Sequence, residues 1–205
     1  MEKIYLTGIA GTGKSSVGDI LIHNGINAID MEEVPELCCW ADKVTGERVF
    51  HKGVIDKVFM DAHDWICDVD RLQNLLKAQK DTVVAVGVAS NQREVSCLFD
   101  KVLLLQCKPE TFVRRLVARS NNHFGKDKTA REFLVSYYKD FEGALLERGA
   151  IPINAEEPLD MVVRAVMQEV RGLPAGFTVK MDACSGAIPA RLKRYLTRLP
   201  HFLFG

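Results

Sequence analysis

Five short runs of apolar residues, at 3–7, 27–30, 82–87, 101–106 and 150–154, are rich in Ile, Val or Leu and are separated by longer stretches of helical period. Strands with little polar alternation are what a parallel sheet covered on both faces demands, because neither side of such a strand meets water. The stretches between them supply the cover. In 14–24, Val17, Ile20 and Leu21 share a face, and in 63–79, Ile66, Val69, Leu72 and Leu76 fall on one stripe, so both segments predict helices. Pro109 opens a helix carrying Phe112, Val113, Leu116 and Val117. A further helix is predicted over 129–148, and Pro158 begins a last one with Met161, Val162, Ala165, Val166 and Val170. Proline suits a first helical turn, where its missing N–H would have no partner anyway. The expected fold is α/β, in three layers, with about five parallel strands between helices.

Two breaks interrupt this rhythm. Residues 120–128, Ser-Asn-Asn-His-Phe-Gly-Lys-Asp-Lys, are polar and contain glycine, which predicts a mobile lid over about 120–130. Beyond Arg171, Gly172-Leu173-Pro174-Ala175-Gly176 reads as a linker, and the remainder is basic and apolar with Asp182 as its one acid. The chain therefore divides into a domain at 1–171 and an extension at 172–205. In the extension Arg191, Lys193, Arg194 and Arg198 interleave with Leu192, Leu196, Leu199, Phe202 and Phe204. That is the pattern of a segment that docks on a partner, on a membrane surface or back on its own domain.

Composition narrows the options. With 205 residues the chain can bury one substantial core, and its 27 basic and 27 acidic residues cancel, so no nucleic-acid partner is expected. No apolar run has the length of a membrane span, and Met1 to Leu6 leads straight into the first strand rather than into a signal segment; the expected location is cytoplasmic. The six cysteines include no C-x-x-C pair, which argues against a structural zinc site. The vicinal Cys38 and Cys39 are a candidate redox or soft-metal pair, with plain packing as the alternative.

The chemistry begins at Gly8-Ile9-Ala10-Gly11-Thr12-Gly13-Lys14-Ser15, which satisfies G-x-x-x-x-G-K-[ST] between a predicted strand and a predicted helix. Glycines let the backbone curl until successive N–H groups of Ala10 to Ser16 point inward at a phosphate, and the helix adds its positive end. Lys14 is placed to bridge β- and γ-phosphates, and Ser15 to put its hydroxyl on Mg²⁺. ATP and Mg²⁺ are the expected cofactors. An N-K-x-D base-reading motif is missing, which argues against a GTP switch. The strands at 82–87 and 101–106 end in Gly87 and Gln106 rather than a carboxylate, which argues against an ATPase motor.

In this order of features the chain resembles the nucleoside-monophosphate-kinase and shikimate-kinase superfamily of P-loop small-molecule kinases. The resemblance covers roughly 1–171. It rests on the loop at 8–15, Asp30-Met31-Glu32 after the second strand, Gly87 closing the third, and Arg115-Leu116-Val117-Ala118-Arg119 before the polar loop. It implies an ATP-dependent phosphotransferase acting on a nucleoside, a nucleotide or a related hydroxylated metabolite. It further implies that Asp30 serves magnesium, that Glu32 acts as base or orients the acceptor, and that Arg115 and Arg119 close over ATP and neutralise the transferred phosphoryl group. Glu32 stands where relatives carry aspartate, and a solvated acidic helix start is the alternative for both acids.

The two arginines lie four apart, so a helix would project both from one face, and an exposed basic face is the alternative. For the acceptor, the candidates are Arg48, the one arginine between Met31 and Trp65, together with Gly87 and Asn91 after the third strand. Asn91 is equally suited to capping the next helix. Trp40 is placed to stack on a base or sugar, while Trp65, at the start of the predicted helix, reads as core. A nucleic-acid end kinase and a nucleotide-dependent binding protein are the competing functions.

Overall fold

A computed structural model describes residues 1–120, 124–172 and 179–181. Its strands and helices follow in the order β1 (Lys3–Thr7), α1 (Lys14–His23), β2 (Ala28–Asp30), β3 (Cys38–Asp42), β4 (Arg48–Val49), α2 (Lys57–Ala62), β5 (His63–Cys67) and α3 (Val69–Lys77). Then come β6 (Val83–Val86), α4 (Gln92–Ser96), β7 (Lys101–Gln106), α5 (Pro109–Ala118), α6 (Lys128–Leu146), β8 (Ile151–Asn154) and α7 (Leu159–Arg171).

The five strands expected from the apolar runs form one parallel sheet in the order β2-β6-β1-β7-β8. Its strands divide their side chains by the two-residue period. Ile4, Leu6, Val84, Val86, Leu103 and Leu105 meet Val17, Ile20 and Leu21 of α1 and Val162, Val163 and Val166 of α7. Tyr5, Val83 and Ala85 point the other way, onto Leu72 and Leu76 of α3, while Leu104 meets Phe141 and Leu145 of α6. β1 lies at the centre, so the loop that leaves its carboxyl end sits at the middle of the sheet's upper edge.

A second sheet, β4-β3-β5, is antiparallel and lies between β2 and α3 in the chain. Its strands correct the helix expected over 63–79. Residues 63–67 pair with β3 in the register Cys38↔Cys67 through Asp42↔His63, and the helix starts only at Val69, where the Asp68 side chain accepts a hydrogen bond from Arg71 N–H. Ile66 fits a helical stripe and a two-residue alternation equally well. The Asp68 cap and the cross-strand ladder decide between them.

The same register separates the vicinal cysteines. Neighbours on a strand point to opposite faces, so Cys38 turns to Cys67 and Cys39 away from both. Contact with Cys67 and burial push the Cys38 thiol up, which keeps the sulfur protonated and a poor nucleophile.

Past α7, Gly172 adopts a left-handed conformation that ends the helix. The chain then returns to the domain: Val179 is buried in the core, and Lys180 pairs with the Asn24 side chain, N–H to Oδ1 at 3.0 Å and Nδ2 to carbonyl at 2.9 Å. The basic and apolar run at 190–204 lies outside the described residues, as do 121–123 of the expected lid. Among the described residues no helix is long and apolar enough to cross a membrane.

Candidate functional site

The loop between β1 and α1 is shaped by close approaches. A Cβ on Gly11, whose φ is +90°, would lie 2.7 Å from the Phe112 carbonyl oxygen, so only glycine fits between this turn and α5. Gly13, at φ +102°, has nothing within 4 Å of its Cβ position, and there the left-handed backbone itself selects glycine. Thr12 Oγ1 donates to the Ile9 carbonyl at 2.9 Å and ties the loop to itself. The buried Lys14 folds over it, Nζ donating to the carbonyls of Gly8 at 2.8 Å and Ile9 at 3.2 Å. Helix α1 opens at Lys14, so its first N–H groups have no partner within the helix and the positive end of its dipole faces the loop. Burial lowers the Lys14 pKa, while Glu32 and Asp30 pull it back up.

Asp30 ends β2 beside this loop. Its carboxylate accepts from the Glu32 N–H at 2.9 Å and from the Ser15 hydroxyl, and burial holds its pKa above the usual carboxylate range. Glu32, two residues on, lies in the large cavity above the loop, where its charge acts on both Lys14 and Arg119.

Arg115 and Arg119 both line that cavity, and the Arg119 N–H still donates to the Arg115 carbonyl one turn back at 3.0 Å. α5 ends at Ala118 and Arg119 is already extended, because the chain turns there towards Phe124. The Arg115 guanidinium donates to the carbonyls of Thr12 at 3.3 Å and Ala155 at 2.9 Å, which ties the phosphate loop to the loop after β8. Arg119 donates to the Phe124 carbonyl at 2.7 Å. Its Nε is buried with no hydrogen-bond partner, and burial lowers its pKa against the pull of Glu32.

The cavity measures about 940 Å³ and is continuous from Ile9–Val17 to Trp40 and Trp65 on the small sheet. Of the residues expected at the site, Ala10, Gly11, Thr12, Gly13, Lys14, Ser15, Ser16, Glu32, Asn91, Arg115 and Arg119 line it. Others are placed elsewhere. Arg48 sits on the edge strand β4 and pairs with Asp68 at 3.5 Å, with both side chains exposed. Gly87 is where β6 passes Met31, whose Cβ would be 2.9 Å from an added Cβ; the close approach there is to protein.

Asn91 lines the cavity, yet its side chain neither caps α4 nor points free. Oδ1 accepts from Cys67 N–H at 3.0 Å and Nδ2 donates to Cys67 C=O at 2.9 Å. With Ser90 N–H donating to Trp65 C=O at 2.6 Å, this sews the loop after β6 to the outer side of β5. The cavity is also lined by residues not expected from the sequence, notably Lys43, His63, Phe133, Tyr137 and Glu157. Phe133 and Tyr137, four apart on α6 and stacked at 6.0 Å, carried a helical-spacing signal. Nothing in the sequence marked Glu157.

A central strand, a glycine loop and a helix N-terminus around a buried lysine, on a five-stranded parallel sheet, define the fold of the P-loop small-molecule kinases. Residues 4–134 match the family described as AAA domain, and the chain belongs to that family. Among solved structures it is similar to a shikimate kinase from Acinetobacter baumannii in complex with shikimate, at 20% identity and TM-score 0.55, covering 83% of this chain and 93% of that one. A gluconokinase from Sinorhizobium meliloti 1021 is similar at 17% identity and TM-score 0.51, with 82% and 91% covered. A deoxyadenosine kinase from M. mycoides with bound dATP is similar at 15% identity and TM-score 0.51, with 82% and 98% covered. No curated protein matches the chain.

Proposed function

We propose that the protein transfers a phosphoryl group from ATP to a hydroxyl of a small molecule, from the class of nucleosides, nucleotides and related hydroxylated metabolites. The observation that carries this reading is the shared cavity: the Glu32 carboxylate opens into the same space as Lys14, Arg115, Arg119 and the loop N–H groups. A phosphate grip alone needs no carboxylate there, whereas an acceptor hydroxyl needs a group to accept its proton or its hydrogen bond. The fold's similarity to kinases of shikimate, gluconate and deoxyadenosine supports it.

In this scheme the backbone N–H groups of Gly11 to Ser16 hold the β-phosphate. Lys14 moves its ammonium from the loop carbonyls onto phosphate oxygens. Ser15 and Asp30 are oxygen donors already in contact, a set that suits a hard divalent cation, and they would hold Mg²⁺ directly or through water. When bound, that ion supplies positive charge between the phosphates. Arg119 and Arg115 face the charge that develops on the transferred group, and Glu32 orients the attacking hydroxyl or takes its proton.

The test is ADP release from Mg-ATP against a panel of nucleosides, nucleoside monophosphates and hydroxylated acids, with Lys14→Ala as control. Acceptor-stimulated turnover that the variant loses is the expected result. ATP binding without stimulation by any acceptor would overturn the proposal.

A further inference from the structure

Taking the phosphotransferase reading as its basis, we infer that the acceptor is an uncharged alcohol bearing a flat aromatic ring, a nucleoside rather than a nucleotide or a sugar acid. Two observations at the end of the cavity remote from the phosphate loop lead there. The first is the state of its cation. Among the described residues four cationic side chains line the cavity, and three of them, Lys14, Arg115 and Arg119, cluster at the loop. Lys43 remains for the acceptor end.

An ammonium group has three protons to donate. Lys43 Nζ donates to the carbonyls of Met60 at 2.8 Å and Asp61 at 3.1 Å, and the Asp64 carboxylate lies 3.8 Å away. Two of its protons are spent on backbone carbonyls, and its charge lies beside Asp64. A phosphate or carboxylate on the acceptor would have to compete with Asp64 for this one ammonium and would face Glu32 as well, so burying it there would cost more than burying a neutral group. Arg48, which could have gripped such an anion, is held at the edge strand by Asp68.

The second observation is the wall. Trp40 on β3 stands directly opposite Trp65 on β5. The Trp65 carbonyl is taken by Ser90 and both backbone groups of Cys67 by Asn91, so these pairs are the ones that exchange no ladder hydrogen bond with β3 and whose side chains approach most closely. The indoles meet edge to face, with centroids 5.4 Å apart and planes at 62°. Phe59 and Phe124 complete the group around Trp40 at 5.1 and 6.4 Å. A half-buried tryptophan wall beside a lysine already paired with Asp64 favours a ring, held by stacking and edge contact, over a charge.

The test uses the full chain. Wild-type ADP release is measured with nucleosides, their 5′-monophosphates and sugar acids, and Trp40→Leu is compared by KM and kcat for both substrates. Nucleosides should be the preferred acceptors, and the variant should raise the nucleoside KM by about 5- to 150-fold, the range of base–aromatic stacking, with the ATP KM unchanged. Preference for monophosphates or sugar acids, or an unaltered nucleoside KM in a folded variant, would overturn this inference and leave the phosphotransferase reading intact. If no acceptor stimulates ADP release, that reading falls and this inference with it. The wild-type panel needs no variant, so the question is decided even if Trp40→Leu does not fold.

Discussion

The two sheets of this protein were written into the sequence by different rules. Every residue of β6 in the parallel sheet is buried, whereas in β3 of the antiparallel sheet only Ala41 is. A strand covered on both faces must be apolar throughout, and the five parallel strands announce themselves as apolar runs. A strand with one face on a cavity carries Cys, Trp and Asp instead, and its identity depends on the partner it pairs with. The scaffold is thus held by burial, and the wall of the cavity by cross-strand register and a few specific hydrogen bonds.

The comparison predicts that damage at the two ends is felt in different observables. The largest effect is expected from Lys14→Ala, which should lower kcat on the order of 10²–10³-fold, the scale for removing one donor to developing charge; steady-state turnover with a circular-dichroism control checks it. Gly11→Ala comes next, because its Cβ would meet the Phe112 carbonyl in a left-handed conformation. A strain of roughly 1–3 kcal/mol should appear as a lower Tm together with weaker ATP binding.

Asn91→Ala removes both hydrogen bonds to Cys67. About 1–3 kcal/mol of stability should go, and the acceptor KM should rise more than the ATP KM; equal changes in both would mean that the two ends do not respond separately.

The smallest effect is expected at Glu142 on α6, far from either substrate in its role. Its carboxylate is buried, accepts from Gln106 Nε2 at 2.6 Å and leaves Oε1 without a partner. Burial raises its pKa above the usual range while Gln106 opposes the shift. Because the folded pKa lies above the unfolded one, the favourable contribution is present at low pH and is lost as pH rises through the carboxylate range. Glu142→Gln should therefore raise Tm at pH 7.5, and the gain should shrink as the pH is lowered through that range. Thermal melts at several pH values read it directly.

The legible part of the site was the part whose chemistry is local. Gly8 to Ser15 are contiguous, and their task is set by backbone conformation and a helix end, so residue order alone predicts it. Asp30 reaches Ser15 because the strand order puts the end of β2 near the loop. Arg115 and Arg119 were expected as neighbours on a helix. Both reach the cavity, Arg119 as the C-cap of α5 with its N–H still on the Arg115 carbonyl.

Lys43 and His63 show why the remainder was hidden. Each belongs to a strand or turn created only when 38–42 pairs with 63–67, and a stretch such as 63–67 has no period strong enough to exclude a helix. Likewise, an arginine alone in its segment looks like an anion grip until Asp68 is found beside Arg48. The sequence by itself determined the α/β scaffold and the phosphate loop, because apolar runs buried on both faces and a contiguous glycine motif depend on near neighbours in the chain. Only the tertiary structure decided what the far end of the cavity presents, because the surroundings of Lys43 and Trp40 are set by residues distant in the chain, from Phe59, Met60 and Asp64 to Phe124.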